Sequence, residues 1–149
     1  MSAEKERLYN LLKETFLLLD DGDRRLFGRF DLTASRFYAL LHIGEKPGIS
    51  SSHLSERMLC DKSNVTRIVK GLEAEGYVAR RPHESDGRSW RLYLTEKGTA
   101  VCGEVRSAHR AYNAARLSGI DEIERGSLAD NLTQLNQSLQ AALSTSSFS

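Results

Sequence analysis

The sequence is poor in cysteine and has no long apolar run. Only two cysteines, Cys60 and Cys102, occur among its 149 residues, and their spacing suits neither a disulfide framework nor a paired metal motif. The longest apolar runs, such as residues 16–19, are far too short to span a bilayer. The charged N-terminal residues also lack the apolar core of a signal peptide, so we expect a cytoplasmic protein without membrane attachment.

Marks of catalysis and of metal binding are missing as well. The sequence contains no nucleophile and base pairing, no phosphate-binding loop, and neither Cys-x-x-Cys nor His-x-x-x-His. We therefore expect no enzymatic activity, no cofactor and no bound metal. The net charge of +1 does not indicate a nucleic-acid partner, so any basic surface must be local and balanced by acidic residues elsewhere.

Apolar spacing and capping residues predict six helices. In the first of them, the acidic and glycine-containing residues 20–23 form a candidate kink. The first predicted helix covers residues 4–30, and the second covers residues 34–43, between the cap Thr33 and a stop at Gly44. The third runs from Ser50 to near Leu59, and the fourth from the cap Asp61 to a stop at Gly76. The fifth runs from the cap Thr95 to about Leu117, and the sixth from Asp121 through the leucines that end at Leu143.

Residues 77–81 and 89–94 are predicted to form two strands of a hairpin. In the second strand, Trp90, Leu92 and Leu94 alternate with polar or larger side chains, which is the period of a half-buried strand. Residues 82–88 are too polar to pack inside and contain the turn pair Asp-Gly.

The fourth predicted helix has two chemically different sides. One is an apolar stripe formed by Val65, Ile68, Val69 and Leu72. The other carries groups that can reach base edges or phosphates, namely Ser63, Asn64, Thr66, Arg67 and Lys70. A merely solvated helix face would have the same pattern.

The surroundings of this helix favour DNA binding over simple solvation. A short helix and turn precede it, and a basic hairpin follows it, which is the layout of a winged helix-turn-helix. At the hairpin tip, Arg88 can enter a minor groove while Asp86 orients its guanidinium; a surface ion pair of little consequence is the alternative. The predicted DNA-contacting residues are Ser50, Ser52, Lys62, Ser63, Asn64, Thr66, Arg67, Lys70, Arg80, Arg81, Asp86, Arg88 and Arg91.

Several segments follow a pattern known from one family. They are Ser63-Asn64-Val65-Thr66-Arg67, Leu72-Glu73, Gly76-Tyr77-Val78, Asp86-Gly87-Arg88 and Leu94-Thr95-Glu96-Lys97-Gly98. In these segments, and over nearly the whole chain, the sequence resembles the MarR family of bacterial transcriptional regulators. The resemblance implies a dimer with interleaved first, fifth and sixth helices, two DNA-binding lobes on a palindromic operator, and Arg88 in the minor groove with Asp86 as its partner. Gly71 departs from the family, which more usually has a polar residue there.

The predicted fold is therefore mainly α with a small β-hairpin wing, a winged helix-turn-helix flanked by dimerisation helices. Within one domain of residues 1–149, the DNA-binding lobe covers 33–97, the dimerisation helices cover 1–32 and 98–144, and residues 145–149 form a frayed tail. An apolar stripe on the sixth helix independently requires a partner, because a hairpin and short helices cannot cover it. The expected dimer residues are Leu8, Leu11, Leu12, Leu128, Leu132, Leu135 and Leu139.

The resemblance also implies an effector. Many family members release DNA when a small aromatic or amphipathic compound binds between the dimer helices and the DNA-binding lobe. By position, the candidate lining residues are Phe30, Phe37, Tyr38, His42 and Met58, although aromatic residues at helical spacing are more often part of the core. We thus expect a repressor of transcription that a small ligand releases from double-stranded DNA.

Three alternatives stay open from the sequence. The first is a redox-responsive regulator, in which oxidation of Cys60, at the turn before the recognition helix, would disturb DNA binding. An inert buried thiol is nevertheless the favoured interpretation for both cysteines. Zinc binding by His42 and His109 is another, but the second histidine one turn beyond His109 is absent. A winged-helix module that binds protein rather than DNA is the third.

Overall fold

The computed structural model describes residues 1–145 and confirms a mainly helical fold with a small antiparallel sheet. The part of the predicted frayed tail at 146–149 lies outside the described residues, while Thr145 ends the last helix. In chain order, the elements described are α1 (Ala3–Gly28), α2 (Ala34–Glu45), β1 (Ile49–Ser50), α3 (Ser51–Met58), α4 (Lys62–Ala74), β2 (Val78–Pro82), β3 (Trp90–Leu94), α5 (Glu96–Arg116) and α6 (Glu122–Thr145).

The chain forms two compact units, Met1–Arg110 and the part that begins at Ala111. None of the helices in residues 1–145 is both long and apolar enough to cross a membrane.

The predicted helix starts are confirmed at the level of single hydrogen bonds. At the starts of α2 to α6, a short polar side chain accepts a hydrogen bond from a backbone N–H that has no partner inside the helix. These pairs are Thr33 with Arg36, Ser50 with His53, Asp61 with Asn64, Thr95 with Gly98, and Asp121 with Glu124.

Two predicted helix ends were wrong. Helix α1 ends at Gly28, before the predicted residue 30, and it continues through residues 20–23 without a break. Ion pairs one turn apart, such as Arg25 Nε to Asp21 Oδ2 at 3.0 Å, fit a regular helix there. Helix α2 runs past Gly44 to Glu45. A Cβ at Gly44 would lie 3.0 Å from Leu94 Cδ1, so this glycine permits close packing on β3 and does not end the helix.

The sheet has one strand more than the sequence predicted. Its order is β1-β3-β2, with Ile49 opposite Leu92 and Val78 opposite Leu94. The predicted burial of alternate residues holds at Leu92, which is fully buried, but fails at Trp90, which is 36% exposed. Trp90 lies at the outer end of the hairpin, where the guanidinium of Arg80 sits 4.4 Å from its ring centre.

One continuous apolar core lies within the first unit. The ring of Phe27 from α1 stacks on that of Phe37 from α2, with ring centres 4.5 Å apart. The predicted stripe of α4 is confirmed, because all four of its residues are buried, and Leu92 and Val105 add β3 and α5 to the same cluster. This core fixes how α4 is oriented.

A small junction joins the end of α4, the wing and the start of α5. The Thr95 hydroxyl donates to the Gly76 carbonyl at 2.6 Å and accepts from the Gly98 N–H at 3.0 Å. The Thr95 N–H donates to the Tyr77 carbonyl. A Cβ at Gly98 would lie only 2.8 Å from the carbonyl carbon of Tyr77, so the backbone leaves no room for a side chain. The Leu-Thr-x-x-Gly pattern thus has a steric reason.

Two glycines of α5 give a matched test of this junction. Gly98→Ala should lower the free energy of unfolding by about 1–3 kcal/mol, since the added methyl overpacks against rigid backbone. Gly103→Ala meets nothing within 4 Å, so it should raise the free energy of unfolding by up to about 1 kcal/mol through helix propensity alone. Urea unfolding at one fixed protein concentration measures both; equal effects would contradict the steric role of Gly98.

Candidate nucleic-acid interface

The outward side of α4 carries an ordered polar ridge. Its start is held by Asp61, whose carboxylate accepts from the Asn64 N–H at 2.7 Å and the Ser63 hydroxyl at 2.8 Å. These bonds, the backbone one first, lower the pKa of Asp61. Arg67 Nη2 in turn donates to Asn64 Oδ1 at 2.6 Å, and the Thr66 hydroxyl donates to the Lys62 carbonyl. Of the predicted base-contacting groups, Ser63, Thr66 and Arg67 are therefore exposed and Asn64 is half-buried, and hydrogen bonds within α4 and to its cap Asp61 hold all four in place.

Ion pairs to other elements hold both flanks of α4. On the wing side, Arg80 Nε lies 3.0 Å from Glu73 Oε2, and on the α2 side, Arg36 Nη1 lies 2.9 Å from Glu75 Oε1. The Arg36 guanidinium crosses Gly71, where a Cβ would lie 2.9 Å from Arg36 Cζ. Gly71 thus leaves room for the Arg36 guanidinium to cross α4 and reach Glu75. Together, the two ion pairs offset the charges of Glu73 and Glu75, the carboxylates that follow the polar ridge on α4.

A polar cleft lies between α3, the start of α4 and the wing. It has a volume of about 530 Å³ and brings together five predicted DNA-contacting residues with one that was missed, Ser51. Ser51 Oγ accepts from the Trp90 N–H at 3.1 Å, a contact across 39 residues that the local sequence does not reveal. The predicted contact Ser50 instead uses its hydroxyl as the cap of α3. The cleft is lined by Ser51, Ser52, Lys62, Thr66, Asp86 and Arg88.

The four arginines of the hairpin have different environments. Arg91 donates to both carboxylate oxygens of Glu84, at 2.6 and 3.2 Å, and to the Gly48 carbonyl. Hydrogen bonding to Arg91 holds the pKa of Glu84 at about 2. Together with Arg80, which pairs with Glu73, Arg91 supports the hairpin itself. Both were predicted only as DNA contacts.

Arg81 and Arg88 face outward. Arg81 is exposed, with its guanidinium 5.0 Å from the Tyr93 ring centre. No hydrogen bond or ion pair engages the Arg88 guanidinium within residues 1–145. The expected orientation of that guanidinium by Asp86 is not seen, because Asp86 Oδ1 accepts from the backbone N–H of Arg88 at 3.0 Å and shapes the turn instead.

A separate crevice of about 450 Å³ lies between α1, α2, α3 and α4. It contains three of the predicted ligand-contacting residues, Tyr38, His42 and Met58. Phe37 is instead 1% exposed in the core, and Phe30 is not among the residues that line the crevice. The other polar and aromatic lining residues were not predicted as ligand contacts. Most of them come from helices other than α2: they are Phe16, Asp20, Ser35, Arg57 and Asn64.

The two histidines considered for zinc have other partners. His42 Nδ1 accepts from Arg57 Nη2 at 3.2 Å, and His109 Nε2 lies 3.0 Å from Asp23 Oδ1. The described part of the chain holds no group of three or more histidine, cysteine or acidic side chains that could bind a metal. Both cysteines are free thiols, and burial is the main cause that raises the pKa of Cys60 and of Cys102. A raised pKa leaves less of the reactive thiolate.

Comparison with known proteins now assigns a family to this geometry. The family model described as "MarR family" matches residues 30–89, which cover the second helix, the helix-turn-helix and the wing. The chain is 30% identical to the HTH-type transcriptional regulator TtmR of Methylorubrum extorquens (strain PA1) over 118 residues, 79% of this chain and 60% of TtmR. The chain belongs to the MarR family.

Two further relatives agree with the assignment. The HTH-type transcriptional regulator BilQ of Clostridium symbiosum (strain WAL-14163) is 29% identical over 133 residues, 89% of this chain and 90% of BilQ. The crystal structure of Streptococcus pneumoniae FabT in complex with DNA has a TM-score of 0.77 at 27% identity, covering 92% of this chain and 98% of FabT. The predicted family, the winged-helix fold and the non-enzymatic class are confirmed: this is a DNA-binding transcriptional regulator of the MarR family.

The environment of His42 predicts a pH effect on stability. Burial, followed by the Arg57 cation, lowers the pKa of His42 from 6.5. At acidic pH the folded protein thus binds fewer protons at His42 than the unfolded chain does. The contribution of neutral His42 to the free energy of unfolding is therefore fully present above pH 6.5 and is lost as the pH falls through the lowered pKa. Urea unfolding at about pH 8 and at about pH 5.5 gives the free energy of unfolding at each pH. The decrease between the two pH values should be smaller for His42→Gln than for the wild type. Identical losses would contradict this role.

Proposed function

We propose that this MarR-family regulator is a homodimeric repressor that acts in the cytoplasm on a palindromic operator in duplex DNA. A small aromatic or amphipathic compound entering the crevice releases it. The helix α4 enters the major groove, and the wing tip with Arg88 enters the adjacent minor groove. The observation that carries this proposal is the polar cleft in which the start of α4 and the wing tip meet.

The charges of this surface support contacts with the DNA backbone. The cations around the cleft and on the ridge have no acidic partner among the ion pairs of residues 1–145, whereas most other arginines of the lobe do. Unpaired cations keep their full attraction for phosphates, because no carboxylate must first be displaced. The cations concerned are Lys62, Arg67, Lys70 and Arg88.

The exposed apolar side chains of two helices support a homodimer. Helix α1 exposes a continuous apolar run, with Phe16 at 58% and Leu18 at 69% exposed. Helix α6 has no buried residue, and Leu139 on its leucine seam is 52% exposed. Monomeric proteins rarely leave apolar areas of this extent in water. A second copy of the chain, related by a two-fold axis, would bury both surfaces.

The crevice offers a direct route from ligand to DNA surface. Asn64 lines the crevice and also accepts the hydrogen bond that positions Arg67 on the ridge. A ligand that bonds to the Asn64 amide competes for this contact and frees Arg67 from its DNA-ready position. The ligand can shift DNA affinity only by the difference in its own affinity for the two arrangements.

The first test removes the outward arginine of the wing. Arg88→Ala should weaken operator binding at least tenfold, about 1.4 kcal/mol, and should lower the slope of log K against log salt by about 1 if the guanidinium contacts phosphate. Fluorescence anisotropy with labelled duplex DNA at several salt concentrations measures both quantities.

Arg25→Ala is the matched control for this test. It removes the same charge from an arginine of α1 that pairs with Asp21 and lies outside the cleft. Its operator affinity should equal that of the wild type. Wild-type affinity in Arg88→Ala would remove the wing from the mechanism, and a flat salt response of the wild-type protein would favour the protein-binding alternative instead.

The second test concerns the homodimer. Leu135→Asp places a charge in the middle of the α6 seam, where burying it against a second copy is costly, so this variant should sediment as a monomer. Gln137→Asp adds the same charge to the opposite side of α6 and should stay dimeric. A dimeric Leu135→Asp variant in sedimentation velocity would show that the seam does not form the interface.

A further inference from the structure

Trp90, the only tryptophan in the sequence, has a polar group that the fold does not use. Leu92 lies two residues along β3 on the same face and is fully buried, whereas Trp90 is 36% exposed at the outer end of the hairpin. No hydrogen bond engages the indole N–H within residues 1–145. An indole N–H can only donate, so this group is available to an acceptor on another molecule.

The ring of Trp90 is held in place by an arginine that also contacts the recognition helix. The Arg80 guanidinium carbon lies 4.4 Å from the ring centre, and Arg80 Nε lies 3.0 Å from Glu73 Oε2 of α4. One guanidinium therefore connects the ring to α4. A side chain that is already held by such stacking loses little conformational freedom when it binds.

Two connections place Trp90 between α4 and the wing. Glu73 follows Thr66 and Lys70 by seven and three residues, so these three residues share one side of α4, the side that Arg80 reaches. On the backbone, the Trp90 N–H donates to Ser51 Oγ at 3.1 Å, and Ser51 and Thr66 both line the polar cleft.

This position determines which part of DNA the ring would meet. The proposed complex has α4 in the major groove and the wing tip in the adjacent minor groove. A single sugar-phosphate strand separates these two grooves, so that strand passes between α4 and the wing. A side chain between them meets phosphate and deoxyribose and not the edges of bases.

We propose that Trp90 binds this strand, with its indole N–H donating to one phosphate oxygen and its ring packing on the neighbouring deoxyribose. The inference rests on the groove placement in the proposed function. An indole suits the strand because it combines an apolar body with one polar donor. The contact reads no base, so it adds affinity equally for all sequences and fixes the register of the lobe on the duplex.

Trp90→Phe tests the contact, because it keeps an aromatic ring beside Arg80 and removes only the N–H and the second ring. Affinity for a labelled duplex that the protein selects from a random-sequence pool should fall about tenfold, since the lost hydrogen bond goes to a charged group. Tyr93→Phe is the matched control. It removes a hydroxyl from the opposite face of β3 and keeps the ring beside Arg81, so its affinity should equal that of the wild type in fluorescence anisotropy.

Single methylphosphonate substitutions in the same duplex identify the phosphate. At one position in each half-site, the neutral substitution should weaken the wild type but should weaken Trp90→Phe much less, because the variant has already lost the donor. Each comparison uses two duplexes on the same protein, so a folding defect of the variant cannot produce this pattern. Equal losses for both proteins at every position would overturn the inference.

The emission of Trp90 gives a second measurement on the unmodified protein. It should change in intensity and wavelength as the duplex saturates the protein, at the concentrations at which anisotropy changes. Unchanged emission at saturation would overturn the contact. If Arg88→Ala weakens binding and Trp90→Phe does not, this inference fails while the proposed function stands. If the wild type binds no duplex DNA, both fail.

Discussion

Burial of one stripe of α4 is the interaction on which the DNA-facing surface depends. Its four apolar side chains are at most 7% exposed, and each contributes roughly 1.5–3 kcal/mol when fully buried. Turning the helix by one residue would expose several of them, so the stripe fixes which side chains point outward. The ion pairs at Glu73 and Glu75 are partly exposed and each contribute at most about 1 kcal/mol. They set the orientation of the flanks, while the core supplies the stability.

The junction at Thr95 extends this constraint to the rest of the lobe. One threonine bonds to Gly76 and Tyr77, which connect α4 to β2, and to Gly98 in the first turn of α5. Because Gly98 packs directly on backbone, α5 cannot slide here without moving the wing. A displacement of α5 is thus transmitted to the wing by contact between rigid groups, which do not deform continuously.

Local chemistry explains what could be predicted from the sequence. Caps such as Asp61 and the stripe of α4 depend on residues within one or two turns, so their spacing is visible in the chain. The two-residue strand β1 and the contact of Arg36 with Gly71 depend on partners more than 30 residues away, and no local pattern indicates them. The unbroken α1 was missed because i, i+4 ion pairs offset the weak helix propensity of its acidic segment. Only three of the eleven residues that line the crevice were predicted, because its lining is spread over four helices from distant parts of the chain.

The arginines of the hairpin show why charge counts mislead for this chain. Two of the four arginines predicted as DNA contacts form ion pairs within the lobe, Arg80 with Glu73 and Arg91 with Glu84. These two arginines therefore help to hold the hairpin in its folded position. In the proposed DNA complex, the attraction for phosphates comes instead from the cations at the cleft and on the ridge that lack an ion-pair partner in the described residues. Salt screens charges beyond about 8–10 Å, so acidic residues elsewhere, which lower the net charge to +1, hardly oppose these cations. A nearly neutral chain can therefore carry a local group of unpaired cations at the proposed DNA-binding face, and a two-fold partner would supply a second such group.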